Sequence, residues 1–248
     1  TRMGEYTYAC SDFKFKKGLV SATKTSGHTL QIADGLWLDK KFKAAMMKSI
    51  AQSELDRKRF VYSDIGFILL QQVVEAVTGK TLDAYLVSEF YRPMGLEHTL
   101  FQPLNRYKKA DIMPTAANDY LRRQDLCGYV HDEAAAFMGG VSGNAGLFST
   151  AQELGKIYQM ILNEGELDGK RYLRPETCRI FTTEKSAVSH RGLGYDKPNL
   201  KDPKANACAS SAPASVYGHT GFTGTCAWVD PENDLVYICL LYTSPSPR

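Results

Sequence analysis

No Cys-x-x-Cys pair occurs in this sequence, and charge of neither sign dominates it. No apolar run reaches the roughly 18–20 residues that span a bilayer. Each absence removes a class of function. The six cysteines (Cys10, Cys127, Cys178, Cys208, Cys226 and Cys239) are scattered without close pairs, so the spacing of a zinc or thioredoxin-like site is missing. Six in 248 residues are too sparse for the disulfide framework of a small secreted domain, and they read as separate thiols. Lys and Arg total 30 against 27 acidic residues, and a net charge of +3 gives no basis for binding nucleic acid or an anionic membrane. The chain opens on Thr1 with neither a start methionine nor a signal-peptide pattern. It closes on Tyr242-Thr243-Ser244-Pro245-Ser246-Pro247-Arg248, whose prolines cannot continue the apolar strand Leu235 to Leu241. The expectation is an interior piece of a longer protein, with 242–248 a non-native or disordered tail.

Apolar residues make up 44% and charged residues 23% of the 248, an ordinary globular balance with enough chain for one large or two small domains. Residues 1–40 carry short aromatic alternations such as Tyr6-Thr7-Tyr8 and Phe13-Lys14-Phe15, which suggest loops and short strands. Lys40 to Ser53 reads as a short basic helix. From Ser63 to Thr78, Ile65, Leu69, Val73 and Ala76 recur at helical spacing, and Gly79 fits the stop. A second helix runs from Leu82 to Phe90 and ends before Pro93 and Gly95. The glycine-rich turn Gly139 to Thr150 leads into a helix from Ala151 to Asn163, capped by Ser149 or Thr150 with Glu153 in capping-box position. Pro175 to Thr182 is a further short helix, and 196–214 a polar loop. The period then changes: Val216 to His219, Thr225 to Val229 and Leu235 to Leu240 read as three strands, with Pro231-Glu232-Asn233-Asp234 making the second turn. Helices first and an antiparallel meander last give an α+β class.

Two stretches carry chemistry. Tyr62-Ser63-Asp64 sets a tyrosine and two small polar residues at the mouth of an apolar helix. Tyr217-Gly218-His219-Thr220-Gly221-Phe222-Thr223-Gly224 runs from a strand into a turn. With Phe90-Tyr91-Arg92-Pro93-Met94-Gly95-Leu96-Glu97-His98-Thr99 and the glycine turn through Phe148-Ser149-Thr150, they occur in an order and spacing that resemble the serine beta-lactamase-related superfamily. That superfamily includes class C beta-lactamases, D-alanyl-D-alanine peptidases and esterase relatives. The resemblance runs from about Phe60 to Leu241. It implies an antiparallel sheet flanked by helices beside a helical subdomain, incomplete here at both termini. Residues 1–241 would be a partial domain, helical over about 40–195 with sheet strands over about 215–241.

The resemblance also assigns roles. Tyr62 matches a proton-relay tyrosine, although a phenol titrating near 10 needs neighbouring cations to work at neutral pH. Asp64 stands where the family usually carries Asn. A carboxylate accepts hydrogen bonds and cannot donate them as an amide does, which leaves Asp64 either to pair with a catalytic lysine or to cap the helix with Ser63. His219 replaces the lysine of the Lys-Thr-Gly strand and pulls less strongly on a substrate carboxylate. Thr220 and Gly221 line the strand edge, with Gly221 allowing close substrate approach. The backbone N–H of Phe222 matches an oxyanion donor. Catalytic roles thus fall on Tyr62, Asp64 and His219, and substrate binding on Thr220, Gly221 and Phe222. His131-Asp132-Glu133 places a histidine beside acids, but adjacent residues rarely converge on one metal, and the segment reads as a structural loop. No metal or cofactor is expected.

The Ser-x-x-Lys nucleophile motif occurs at Ser11-Asp12-Phe13-Lys14 and Ser21-Ala22-Thr23-Lys24. The chemistry needs serine and lysine one turn apart at the start of a buried helix. Ser11 lies in a strand-like alternation, and Ser21 runs into Thr25-Ser26-Gly27. Neither fits, so the nucleophile is expected upstream of Thr1. The resemblance implies a bacterial, periplasmic or otherwise extracytoplasmic serine hydrolase that cleaves an amide or ester, a cell-wall peptide or small ester, through an acyl-serine. The alternative is a non-catalytic peptide- or sugar-binding relative appended to a larger enzyme. The partners expected are a small-molecule or peptide substrate and, in the full protein, a fused second catalytic domain; no nucleic acid and no transmembrane segment are expected.

Overall fold

In chain order, the computed structural model runs through β1 (Cys10–Ser11), β2 (Lys14–Phe15), β3 (Val20–Ser21), β4 (His28–Ala33), β5 (Leu36–Asp39), α1 (Phe42–Gln52), α2 (Ile65–Thr78) and α3 (Leu82–Leu86). It continues with β6 (Leu100–Phe101), β7 (Pro114–Ala116), β8 (Leu126–Cys127), α4 (Glu133–Phe137), β9 (Leu147–Phe148) and α5 (Ala151–Leu162). Last come β10 (Glu166–Leu167), β11 (Lys170–Arg171), α6 (Pro175–Thr183), β12 (Tyr217–Thr220), β13 (Cys226–Asp230) and β14 (Leu235–Cys239). The residues described are 10–11, 14–54, 60–183, 185–202, 204 and 206–240. Tyr6-Thr7-Tyr8, Asp12, Phe13 and the tail 242–248 lie outside them. The class is α+β, as the change of period implies. The chain divides into two compact units: Thr1–Glu89 with Leu100–Phe148, and Phe90–Thr99 with Ser149–Arg248.

In the first unit, β3, β5 and β4 form an antiparallel sheet in that order. Pairing of Leu30 with Leu38 and Gln31 with Trp37 sets the alternation that turns Ile32 and Leu38 inward. They pack with Leu121, Ala136 and Phe137, and the Phe42 and Phe15 rings stand edge-on to Phe137 at 5.1 and 6.4 Å. Burying a side chain such as Phe137 contributes about 1.5–3 kcal/mol. A second cluster, Ile68, Ala134 and Met138 with Met46, Met47 and Ile50, joins α1, α2 and α4. Ser21 lies in β3 and its hydroxyl accepts from Thr23 N, so its Ser-x-x-Lys spacing crosses a strand and a turn rather than one helical turn. Ser11 lies in the two-residue strand β1.

α2 forms where its 3.6-residue period predicts. It stops at Gly79, whose φ of 66° is the left-handed cap that glycine adopts without strain. Its inward face, however, differs from the stripe legible in the sequence. Ile68 and Gln71 are buried, while Leu69 and Val73 point outward and Val77 is 81% exposed. The glycine-rich turn causes this. Gln71 donates to Val141 O (3.3 Å) and accepts from Gly143 N (3.1 Å). A Cβ on Gly143 would fall 2.1 Å from Phe67 O, so only glycine lets the turn lie against the helix. Two backbone hydrogen bonds thus turn a polar residue inward in preference to Leu69.

The second unit is built on the predicted meander, ordered β12-β13-β14. Tyr217 pairs with Val229 and Thr220 with Cys226; Cys226 pairs in turn with Cys239, and Asp230 with Leu235. The β13–β14 turn is fixed by Asp230, whose carboxylate accepts from Glu232 N (3.0 Å) and Asn233 Nδ2 (2.8 Å). Helix α5 packs over β14, with Gly155 facing Ile238. Thr150 caps α5 by accepting from Glu153 N (3.3 Å). The capping box is only half realised, because the Glu153 carboxylate turns to other donors. It accepts from Glu97 N (2.9 Å), His98 N (2.9 Å), His98 Nδ1 (2.9 Å) and Thr99 Oγ1 (2.7 Å). Scattered thiols were expected from the sequence, but sheet pairing sets Cys226 and Cys239 opposite one another.

Candidate functional site

The predicted residues fall into two groups, one in each unit. In the first unit, the irregular segment before α2 carries Tyr62, which is 51% exposed. Asp64 occupies the cap position with helical backbone angles, and its carbonyl accepts from Phe67 N (3.0 Å) and Ile68 N (3.2 Å). Its carboxylate makes no cap bond. Ser63 supplies the side-chain acceptor instead, to Ile65 N at 3.3 Å. The joint Ser63–Asp64 cap is therefore half correct, and the Asp64 carboxylate is not spent on capping. Within the same unit, Asp132 caps α4 through Ala135 N (2.7 Å) and receives Asn144 Nδ2 (3.0 Å), and Arg122 donates to the His131 carbonyl. The segment is therefore not wholly a loop: Asp132 is the cap of α4 and Glu133 its first residue. Behind it, Arg122 pairs with Asp119 at 2.8 Å, both side chains being almost wholly buried.

The second group sits on β12. His219 lies near the end of the strand, opposite Ala227, and Thr220 ends it. Gly221 and Phe222 open the turn to β13; Phe222 is 84% exposed, which leaves the turn open to solvent. Gly221 N donates to Thr225 O (2.7 Å), and a Cβ on Gly221 would fall 2.2 Å from Thr225 Oγ1. That contact is with a rotatable side chain, whereas at Gly218 a Cβ would lie 2.2 Å from the backbone oxygen of Ala227, which glycine alone avoids.

His219 is oriented by two partners. Its Nδ1 lies 2.6 Å from the Thr220 carbonyl and its Nε2 2.9 Å from Arg191 NH1. The bonds are satisfied together when Nδ1–H donates to the carbonyl and Nε2 accepts from the guanidinium. The same Arg191 nitrogen lies 3.3 Å from Asp196 Oδ1, and His190 Nε2 reaches that oxygen at 3.2 Å. Asp196 itself is 6% exposed and bridges β12 on its outer side, exchanging backbone hydrogen bonds with Gly218 (2.7 and 3.1 Å). A buried carboxylate thus stands within ion-pair distance of the guanidinium that meets His219, although its Oδ1 makes no hydrogen bond. Sequence reasoning missed Arg191, His190 and Asp196. The adjacent His190-Arg191 pair was the sole hint, and it lies 28 residues before His219. Nearby, the Tyr195 and Tyr217 rings pack at 5.0 Å, burial pushes both phenols up, and burial lowers Lys197.

A cleft lies over Glu97, His98, Glu153 and Lys156, lined by none of the predicted residues. The Glu153 oxygens there already accept from residues 97–99, so they are committed to the fold. Among the described residues, no cluster of three His, Cys, Asp or Glu side chains is placed to hold a metal, and no helix is long and apolar enough to cross a membrane.

Comparison with known proteins identifies the family and the fold. Residues 22–248 match the family model described as Beta-lactamase. An Escherichia coli (strain K12) protein named "Putative D-alanyl-D-alanine carboxypeptidase" is 37% identical over 201 residues, which cover 76% of this chain and 46% of that protein. A Bacillus subtilis (strain 168) protein named "N-acetylmuramyl-L-alanine amidase" is 36% identical over 189 residues, 71% of this chain and 43% of its own length. The chain therefore spans about half the length of the curated relatives it matches. In fold, it is similar to the octameric penicillin-binding protein homologue from Pyrococcus abyssi, with a TM-score of 0.53 at 17% identity over 81% of this chain and 43% of that one. With a family model matched across nearly all of its sheet and helices, this chain belongs to the serine beta-lactamase-related superfamily.

Proposed function

We propose that this chain is the Tyr-x-Asp and His-Thr-Gly portion of a serine hydrolase that cleaves an amide or ester through an acyl-serine, and that its substrate carries a carboxylate beside the scissile bond. A cell-wall peptide in an extracytoplasmic bacterial compartment fits that description. The observation that carries the reading is Arg191, hydrogen-bonded to His219 near the end of β12 and within ion-pair distance of Asp196. A histidine alone is a weak and pH-dependent partner for a carboxylate. A guanidinium is charged at every working pH and presents a planar fork that matches a carboxylate. Arg191 therefore brings a guanidinium, partly balanced by Asp196, to the strand where the family carries a lysine.

In this reading Tyr62 relays the proton between nucleophile and leaving group, and Phe222 N donates to the oxyanion. Thr220 and Arg191 hold the substrate carboxylate. The nucleophile belongs to sequence outside these 248 residues. Two facts support that assignment: Ser21 sits in a β-strand, and the matched relatives are about twice as long.

The test uses the protein together with its Ser-x-x-Lys segment and a peptide ending in D-Ala-D-Ala, free or amidated at its carboxyl end. Arg191→Ala should lower kcat/KM on the free carboxylate by about 10- to 100-fold, the loss of one charge-assisted hydrogen bond. Arg191→Lys should recover part of it, and the amidated peptide should lose little. An equal loss on both peptides would reduce Arg191 to a structural support. Wild-type protein that binds the peptide without turnover would instead favour the non-catalytic binder.

A further inference from the structure

The meander brings together two cysteines that the sequence keeps 13 positions apart, Cys226 on β13 and Cys239 on β14. Their pairing type follows from the hydrogen bonds around them. Gly221 N donates to Thr225 O, and on its other side β12 bonds outward from Gly218 to Asp196. In an antiparallel ladder, hydrogen-bonding direction alternates residue by residue. Ala227 and Val229 therefore bond towards β12, and Cys226 and Trp228 towards β14. Cys226 and Cys239 form a hydrogen-bonded pair, whose Cα atoms lie about 5.5 Å apart. Disulfides bridge Cα separations of about 4.4–6.8 Å. Both residues are partly accessible thiols, whereas Cys178 is buried on α6 and Cys127 belongs to the first unit.

We propose that Cys226 and Cys239 are a redox modification site, closing to a reversible disulfide that ties β14 to β13. The oxidant is a low-molecular-weight or protein disulfide. One cysteine thiolate attacks a sulfur of that disulfide and expels its first thiolate, leaving a mixed disulfide. The second cysteine thiolate then attacks the protein sulfur of that bond and expels the other half. Two thiol protons and two electrons leave the protein, and the oxidant departs as two thiols. Opposed side chains in such a pair stand about 5 Å apart at Cβ, slightly wider than a relaxed disulfide needs. The bond therefore forms under mild strain, which makes it readily reducible. Cys226 also pairs with Thr220 across β12–β13, so closure stiffens the sheet beside the candidate site. The proposal rests on the strand register alone and is independent of the catalytic reading.

The experiment treats the reduced full chain with oxidised glutathione, blocks remaining thiols, and digests without reduction after Glu232 and Tyr217. Mass spectrometry should find the peptides of Cys226 and Cys239 joined and free of glutathione. In Cys239→Ser, glutathione should stay on Cys226, because no second thiol displaces it. The oxidised wild type should melt several degrees above its dithiothreitol-treated form, and Cys226→Ser/Cys239→Ser should show no such difference. The proposal is overturned if wild-type Cys226 and Cys239 each retain glutathione, if both remain open to alkylation, or if Cys226 links to Cys208.

Discussion

Replacing Glu153 tests how the second unit is held together. The residue is 7% exposed at the start of α5, yet its carboxylate accepts from two backbone N–H groups (Glu97 and His98), the His98 ring and the Thr99 hydroxyl. Glu153→Ala leaves the Glu97 and His98 N–H groups without their acceptor, while the Thr99 hydroxyl keeps Ser149 Oγ as a partner at 2.8 Å. Each stranded donor costs about 1–3 kcal/mol, so the two together cost about 2–6 kcal/mol. At about 2–4 °C per kcal/mol for a chain of this size, the melting midpoint should fall by roughly 4–24 °C. Glu153→Gln keeps the shape and one acceptor, and should cost about 1–3 kcal/mol.

The pH dependence supplies an independent check. Burial pushes the Glu153 carboxyl up, but the bonds from Thr99, His98 and Glu97 overcome it and hold the group below its ordinary 4.5. A carboxyl depressed on folding stabilises the protein fully above its unfolded value and loses that contribution as pH falls below about 4.5, through the folded value. Urea unfolding of the wild type should thus weaken over that range, and Glu153→Gln should flatten the dependence. A Gln variant as stable as the wild type, or a wild-type curve with no acid loss that the variant lacks, would refute the reasoning.

Tyr62→Phe, in protein carrying the Ser-x-x-Lys segment, should lower kcat about 10²- to 10⁴-fold with KM little changed, because one hydroxyl leaves and the ring stays. Steady-state kinetics at the wild-type rate would make Tyr62 a structural anchor. Gly143→Ala should cost about 2–4 kcal/mol, since its Cβ meets the Phe67 backbone carbonyl at 2.1 Å and that oxygen belongs to a helix. A thermal melt within about 1 °C of wild type would show that the turn lifts off α2 freely.

Local elements were legible in the sequence because their causes are local. The 3.6-residue period gives α2 its extent. The left-handed preference of Gly79 ends it, the Thr150 hydroxyl starts α5, and a period of two with turn residues between gives β12, β13 and β14. The Tyr62-Ser63-Asp64, Phe90 to Thr99, Phe148-Ser149-Thr150 and Gly218 to Gly224 segments, in their order and spacing along the chain, together identified the superfamily.

What the sequence left open turns on partners remote along the chain. Gln71 rather than Leu69 faces inward on α2 because Val141 and Gly143, 70 and 72 residues later, offer it backbone partners. The Glu153 carboxylate turns away from its own helix cap because three successive residues, 97–99, present donors some 55 residues earlier. Arg191 joins His219 only because the bridge between Asp196 and Gly218 brings the loop beside β12. Cys226 meets Cys239 only through the register of β13 on β14. Periodicity and capping act within one or two turns of chain. The partner of a buried polar atom is chosen by whichever unsatisfied group the fold brings within about 3 Å, and only the tertiary structure makes that choice.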